Sequence, residues 1–135
     1  MIAFTISGNH KNAHGNPVPK LKMTAGQRWT PKAQGYAKWK IYVGMQYARI
    51  LPLKDRTESL TRITKKIKPI ALKTGQPARM DLKIFWKRGV NHGDPENIFG
   101  SIADALFVND NNLNGSFEAH RAEDGKGRVE VNITI

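Results

Sequence analysis

The sequence contains no cysteine and only eleven acidic residues among 135, and these shortages exclude several classes of protein. Without thiols there are no disulfides, no thiolate zinc sites and no cysteine nucleophiles. No apolar run approaches the roughly 20 residues that cross a bilayer, so no membrane partner is expected. The first residues also lack the basic start and apolar stretch of a secretory signal, which predicts a cytoplasmic protein.

Basic residues, in contrast, are abundant and unevenly placed. The 22 Lys and Arg give a formal net charge of +11. Residues 1–88 hold nineteen of them with three acids, whereas residues 89–135 hold three basic groups with eight acids. The length predicts one domain with a buried core. The positive balance favours nucleic acid as a partner over an acidic protein.

Four carboxylates crowd into residues 92–110, and they belong to Asp94, Glu96, Asp104 and Asp110. A positive surface attracts a polyanion, but a compact group of carboxylates repels it unless a cation lies between them. Divalent metals take oxygen ligands from both carboxylate and phosphate. This combination predicts a metal-dependent nuclease.

Hydrophobic periodicity predicts an α+β fold with one mixed sheet and two main helices. Strands are expected near 2–7, 77–87, 113–121 and 127–135, and helices near 31–51 and 95–106. The turn residues 123–127 are typical of a hairpin joining the last two strands. A short basic helix around Leu60–Ile67 is either a DNA-facing element or a solvated insertion. Residues 8–31 are expected to be an extended loop, either a phosphate-binding arm or a solvated connector.

The first long helix carries a stripe of large side chains that is expected to be core: Tyr36, Trp39, Val43, Tyr47 and Ile50. Trp29, just ahead of this helix among basic residues, is the better candidate for a nucleic-acid contact. We expect backbone phosphates to be held by Lys20, Lys22, Arg28 and Lys32.

Two interpretations of Asp94 and Glu96 stay open. Asp94-Pro95-Glu96 is typical of a helix start, with a capping Asp, a first-turn Pro and an acid near the positive end of the dipole. That interpretation leaves Asp110 unexplained.

A helix over 95–106 is about 17 Å long, and the four extended residues that follow it can return the chain by at most ~13 Å. Asp110 therefore reaches Asp94 only if the chain doubles back at once, or if it comes from a second subunit.

The order of short motifs resembles the RusA family of Holliday junction resolvases, including its phage-borne members. The matching segments are Gly93-Asp94-Pro95-Glu96-Asn97-Ile98, Asp104-Ala105-Leu106 and Asn109-Asp110, set against a family pattern of Asp-x-Asp-Asn-hydrophobic-x-Lys, Asp-Ala-Leu and Asp-Asp. The segments 15–20, 28–31, 77–87 and 127–131 also resemble the family. The stretch 53–75 matches the family only loosely.

The resemblance implies a homodimer that cleaves four-way or other branched DNA with Mg²⁺, or with Mn²⁺. It implies that Asp94, Glu96 and Asp110 hold the metal. Positions expected to support these ligands are Asn97, Asp104, Asn109 and His92. From their place in the segment, Asp104 is alternatively a capping group, and His92 is alternatively a phosphate contact or a solvated turn residue.

Three positions depart from the family pattern. Glu96 replaces an Asp, and Asn109 replaces the first acid of the Asp-Asp pair. Gly100 stands where the family usually has a catalytic lysine, so Lys87 or Arg88 would have to substitute for it. Two alternatives therefore stay open: a junction- or nucleic-acid-binding protein with weak or no cleavage, and a nuclease for another branched or single-stranded substrate.

Overall fold

Four strands and three helices make up the regular structure of the residues that the structure describes. The computed structural model describes residues 1–21, 29–87 and 93–135. In chain order the elements are β1 (Ile2–Ser7), α1 (Pro31–Arg49), α2 (Leu53–Thr64), β2 (Ala78–Trp86), α3 (Pro95–Leu106), β3 (Leu113–Arg121) and β4 (Arg128–Thr134). No helix within these ranges is long and apolar enough to span a membrane.

The strands form one mixed sheet in the order β1-β4-β2-β3. β4 pairs antiparallel with β1 and with β2, whereas β2 and β3 run parallel. Parallel neighbours need a crossover, because the chain must return to the starting end of the sheet. Here α3 supplies it, running from the carboxyl end of β2 back to the amino end of β3. The predicted α+β class and mixed sheet are confirmed.

One face of the sheet carries the core and the other faces solvent. Along β2 every second side chain is buried, from Ala78 to Trp86, and β4 alternates in the same way. The α1 stripe covers this face, and Tyr36, Trp39, Val43 and Tyr47 are buried as predicted. Ile50 is exposed instead, because α1 ends at Arg49 and Ile50 lies beyond the last turn.

The predicted hairpin between the last two strands is wrong. A turn does form, since Gly125 has a φ of 72° and its N–H bonds the Ala122 carbonyl. However, β2 lies between β3 and β4. A central position requires a strand with a buried face; β2 has one, whereas β3 is exposed from Asn114 to Arg121. The sheet therefore places β3 at its edge.

The basic helix exists but is longer and earlier than predicted. α2 begins at Leu53, directly after Pro52, and ends at Thr64. The chain then turns at Lys66, whose φ is 61°. Ile63 is buried against Gly44 of α1, where a side chain on Gly44 would meet Ile63 at 3.1 Å. α2 is thus packed on α1 and is not a loose insertion.

Candidate functional site

The first turn of α3 presents two carboxylates to solvent. Asp94 is the N-cap, and its Oδ1 accepts a hydrogen bond from the Glu96 N–H at 3.1 Å. Pro95 occupies the first helical position, where its missing N–H costs nothing. Asp94 and Glu96 are both exposed. The helix-start interpretation is therefore confirmed for Asp94, and it leaves the second oxygen of that carboxylate outside the cap hydrogen bond.

Residues 16–20, which we call the strap, cross the sheet end beside this helix start. The Asn16 side-chain oxygen accepts a hydrogen bond from the Lys87 N–H at 2.6 Å. Pro19 packs so closely on Gly93 that a side chain there would meet it at 2.8 Å. The Lys20 N–H then donates to the Asn97 carbonyl at 2.9 Å. In this part of the predicted loop, hydrogen bonds hold Asn16 to Lys87, just after β2, and the Lys20 backbone to α3, so the segment is fixed on the fold and is not a free arm.

The strap places Lys20 over the one glycine of α3. A Cβ built on Gly100 would lie 3.2 Å from the Lys20 Cδ and 3.7 Å from its Cβ. The aliphatic stem of Lys20 therefore lies across Gly100, while the residue as a whole remains exposed. Within the described parts of the chain Lys20 forms no ion pair. A lysine from a distant segment thus lies where the helix itself supplies no side chain.

Asp104, near the far end of α3, belongs to a different cluster. Its Oδ2 accepts a hydrogen bond from the Tyr36 hydroxyl at 2.9 Å, and its Oδ1 accepts one from Lys68 Nζ at 2.9 Å. Lys40 Nζ lies 3.5 Å from Oδ2. Burial alone would raise the pKa of Asp104, but the hydrogen bonds from Lys68 and Tyr36 and the charges of the two lysines lower it. This carboxylate joins α1 and the segment after α2 to α3.

The Tyr36 hydroxyl is held in its donor form by the same cluster. Burial, followed by the charge and hydrogen bond of Asp104, raises the pKa of Tyr36. The phenol therefore stays protonated at neutral pH and donates to the Asp104 carboxylate.

Asp110 lies at the opposite end of α3 from Asp94. The chain leaving the helix is held by Ile70, which bonds the Leu106 carbonyl and accepts from the Val108 N–H. The Asp110 carbonyl then accepts from Leu113 N–H, at the start of β3. α3, which spans the predicted twelve residues, is about 17 Å long. The chain does not double back, so Asp94 and Asp110 lie near opposite ends of α3.

No three acidic or histidine side chains approach closely enough to hold a metal ion within residues 1–21, 29–87 and 93–135. Asp94 and Glu96 nevertheless have the right chemistry, since Mg²⁺ is commonly held by one or two carboxylates with waters and substrate phosphates. The residues at the start of α3 therefore fit a weakly held Mg²⁺, and among the described residues no third carboxylate joins them.

The remaining predicted site residues are distributed as follows. Trp29 is 82% exposed immediately before α1, and Lys32 is exposed in the first turn of that helix. Lys87 directly follows β2, and its N–H donates to Asn16 of the strap. The Asn109 side chain accepts a hydrogen bond from the Asn111 N–H at 3.4 Å, beside Asp110. The predictions for Lys22, Arg28, Arg88 and His92 fall outside the described residues.

Neither a comparison with protein-family models nor a search of curated proteins finds a match for this chain.

Sequence reasoning missed the contact between Lys20 and Gly100. The available signal was Gly100 itself, because a glycine inside a helical pattern lowers helix stability and often marks a close approach by another segment. It also missed the Asp104 cluster, since its members are 36 and 68 residues apart in the chain.

Proposed function

We propose that this protein is a Mg²⁺-dependent endonuclease for branched DNA, of the kind that the RusA resemblance implies, working in the cytoplasm. The observation that carries the proposal is the placement of the Lys20 stem across Gly100, about one helical turn along α3 from two exposed carboxylates, Asp94 and Glu96. The chain around them has a net charge of +11. Acids in such a chain weaken its attraction for a polyanion unless they bind a cation.

The roles follow from the placement of the residues. Asp94 and Glu96 would hold the metal, and a metal so held supplies an activated water and neutralises charge on the phosphate. Lys20 lies across Gly100, about one turn along α3 from Glu96, and would stabilise negative charge on the phosphodiester. Lys32 and Trp29 flank the start of α1 and would hold the backbone and a base of the DNA.

Cleavage of a synthetic four-way junction across Mg²⁺ concentrations tests the proposal. We expect cleavage by the unmodified protein, and loss by at least a hundredfold in Asp94→Asn and Glu96→Gln, the range seen when charge-stabilising groups are removed. Glu123→Gln is the matched control, because this exposed acid lies in the turn before β4. Unchanged cleavage in both site variants would refute the assignment of the carboxylates.

Lys20 needs its own comparison. Lys20→Ala should reduce the cleavage rate far more than it reduces junction affinity, because a group that stabilises developing charge acts on the chemical step. Lys54→Ala, an exposed lysine on α2, is the matched control for the loss of one positive charge. Equal losses of affinity and no change in rate would show that Lys20 is only a phosphate contact.

A second function is favoured by the cap geometry of Asp94. Its carboxylate already has a structural role, so a nucleic-acid-binding protein that does not cleave would need the same residue. In that case calorimetric titration with Mn²⁺ would give no binding, and DNA affinity would be salt-sensitive but indifferent to branching. Cleavage of single-stranded or flapped DNA in preference to junctions would instead indicate a nuclease with another substrate.

A further inference from the structure

An open cavity of about 170 Å³ lies where α1, α3 and the end of α2 with the segment after it meet. Two of its large side chains are left half in water, since Ile41 is 40% exposed and Ile67 is 44% exposed. Contiguous apolar surface bordered by charged residues is typical of an interaction site. We call this cavity the helix groove, and its apolar lining consists of Ala37, Ile41, Ile63, Ile67, Pro69 and Ala105.

The helix groove is also positively charged. Lys40, Lys66, Lys68 and Asp104 line it, and three lysines against one aspartate leave a formal charge of +2. The charge of Asp104 is already offset, because Lys68 Nζ donates to it at 2.9 Å and Lys40 Nζ lies 3.5 Å away. Lys66 is exposed and forms no ion pair with any residue in the described ranges. The groove therefore attracts an anionic partner.

The backbone holds Lys66 in a conformation that lysine does not favour. Its φ of 61° lies in the left-handed region. Its N–H bonds the Ile63 carbonyl at 2.9 Å, and the Ile67 N–H bonds the Arg62 carbonyl at 2.8 Å, which is the Schellman ending of a helix. Glycine usually occupies this position, because a side chain there costs free energy. Lysine makes the fold less stable here than glycine would, and what it adds is an amine at the groove.

We propose that the helix groove binds an acidic peptide segment of a partner protein, with one large apolar side chain in the cavity and neighbouring carboxylates on the lysines. This inference does not depend on the proposed nuclease activity. A cavity of about 150 Å³ can hold a benzene-sized group, so the volume of about 170 Å³ fits one phenylalanine side chain. The carboxylates would pair with Lys66 and with the N–H groups of Lys40 and Lys68 that Asp104 leaves unused, since each ammonium has three donors.

The lining favours a peptide over nucleic acid. A phosphate backbone would pair with the lysines, but it has no apolar group to cover Ile41 and Ile67. Bases bind by stacking on aromatic rings or guanidinium planes, and none of the described residues that line the groove is aromatic or an arginine.

The helix groove is separate from the carboxylates at the start of α3. Asp104 follows the N-cap Asp94 by ten residues, which is about 15 Å along a helix. A peptide in the groove would therefore leave Asp94 and Glu96 open to DNA.

Fluorescence anisotropy with a labelled aspartate-rich peptide that has one central phenylalanine tests the apolar contact. We expect saturable binding, and binding at least roughly tenfold weaker when serine replaces the phenylalanine, because the buried ring supplies apolar area. Ile67→Ser should weaken binding of the phenylalanine peptide as well. Leu53→Ser is the matched control, since Leu53 is 74% exposed on α2 and lies outside the groove. Equal binding of the two peptides, or equal affinity of the two variants, would show only a general attraction of a basic chain for acids and would overturn the proposal.

Lys66→Gly tests the charge contact with two readouts. Peptide affinity should fall about two- to fivefold, as for the loss of one partly exposed ion pair. The midpoint of urea unfolding should rise, because glycine relieves the left-handed backbone. Lys73→Ala, at an exposed lysine outside the groove, is the control and should change neither quantity appreciably. If Lys66→Gly instead loses affinity for a single-stranded oligonucleotide and keeps its affinity for the peptide, the groove is a nucleic-acid surface and the proposal is wrong.

Discussion

The Asp104 cluster offers the most direct test of how α3 is held in place. Asp104→Asn keeps the side-chain volume but removes the negative charge that faces Lys68 and Lys40. Hydrogen bonds to a charged group contribute about 1.5–3 kcal/mol each. The carboxylate is 25% exposed, and an amide oxygen still accepts from one donor. We therefore expect a loss of about 2 kcal/mol in the free energy of unfolding at neutral pH.

The effect should depend on pH in one direction. The pKa of Asp104 is lowered below its ordinary value of 3.8 in the folded protein, because the hydrogen bonds and lysine charges outweigh burial. A group with a lowered folded pKa stabilises the fold above its unfolded pKa and loses that contribution as pH falls through the folded value. The difference between the unmodified protein and Asp104→Asn should therefore shrink below about pH 4.

Urea unfolding followed by tryptophan fluorescence, repeated between neutral and acidic pH, measures this difference. Asp124→Asn is the control, since Asp124 pairs with Arg128 in an exposed turn and its loss should have little measurable effect. A difference that is the same at every pH, or that grows in acid, would refute the assignment of Asp104 as a charged link between helices.

Three further outcomes follow from close contacts and from charge. Gly115→Ala should lower the free energy of unfolding by about 1–3 kcal/mol, because the added Cβ would overlap the Met80 carbonyl oxygen of β2. Urea unfolding measures this loss, and Asn114→Ala, at an exposed position of the same strand, is the control. Gly100→Lys should restore junction cleavage in a Lys20→Ala background, because it returns an amine to the same part of the α3 surface. The cleavage rate of the double variant measures this, and an inactive double variant would contradict it. Lys32→Ala should reduce the slope of log affinity against log salt by about 1, as measured by fluorescence anisotropy with labelled junction; an unchanged slope would exclude a phosphate contact there.

Much of the fold was predictable because its elements have strong periodicity. β2 alternates buried and solvent-facing side chains along its full length, and α1 carries large residues at helical spacing from Tyr36 to Tyr47. These patterns reflect burial on one side, which is the property that periodicity measures. β3 has no such pattern, since it is exposed on both faces. Its presence could be predicted from turn residues, but its neighbour in the sheet could not.

The site was predictable in its local parts only. The Asp94 cap depends on residues next to each other in sequence, and the sequence was sufficient to predict it. The strap depends on contacts between residues 71 and 77 positions apart, such as Asn16 with Lys87 and Lys20 with Asn97. Nothing in the local pattern distinguishes such a segment from a solvated loop. The separation of Asp94 from Asp110 likewise follows from the parallel pairing of β2 and β3, which spacing alone left open.

The strap also determines when Lys20 loses its conformational freedom. A lysine on a free arm is ordered only when it meets the nucleic acid, and that ordering weakens binding. Here the backbone of Lys20 is already bonded to α3, so most of the entropy loss accompanies folding. The Lys20 backbone is therefore already in place when a phosphate approaches its amine. Orienting the Lys20 amine toward the phosphate then requires fixing only the last rotatable bonds of its side chain.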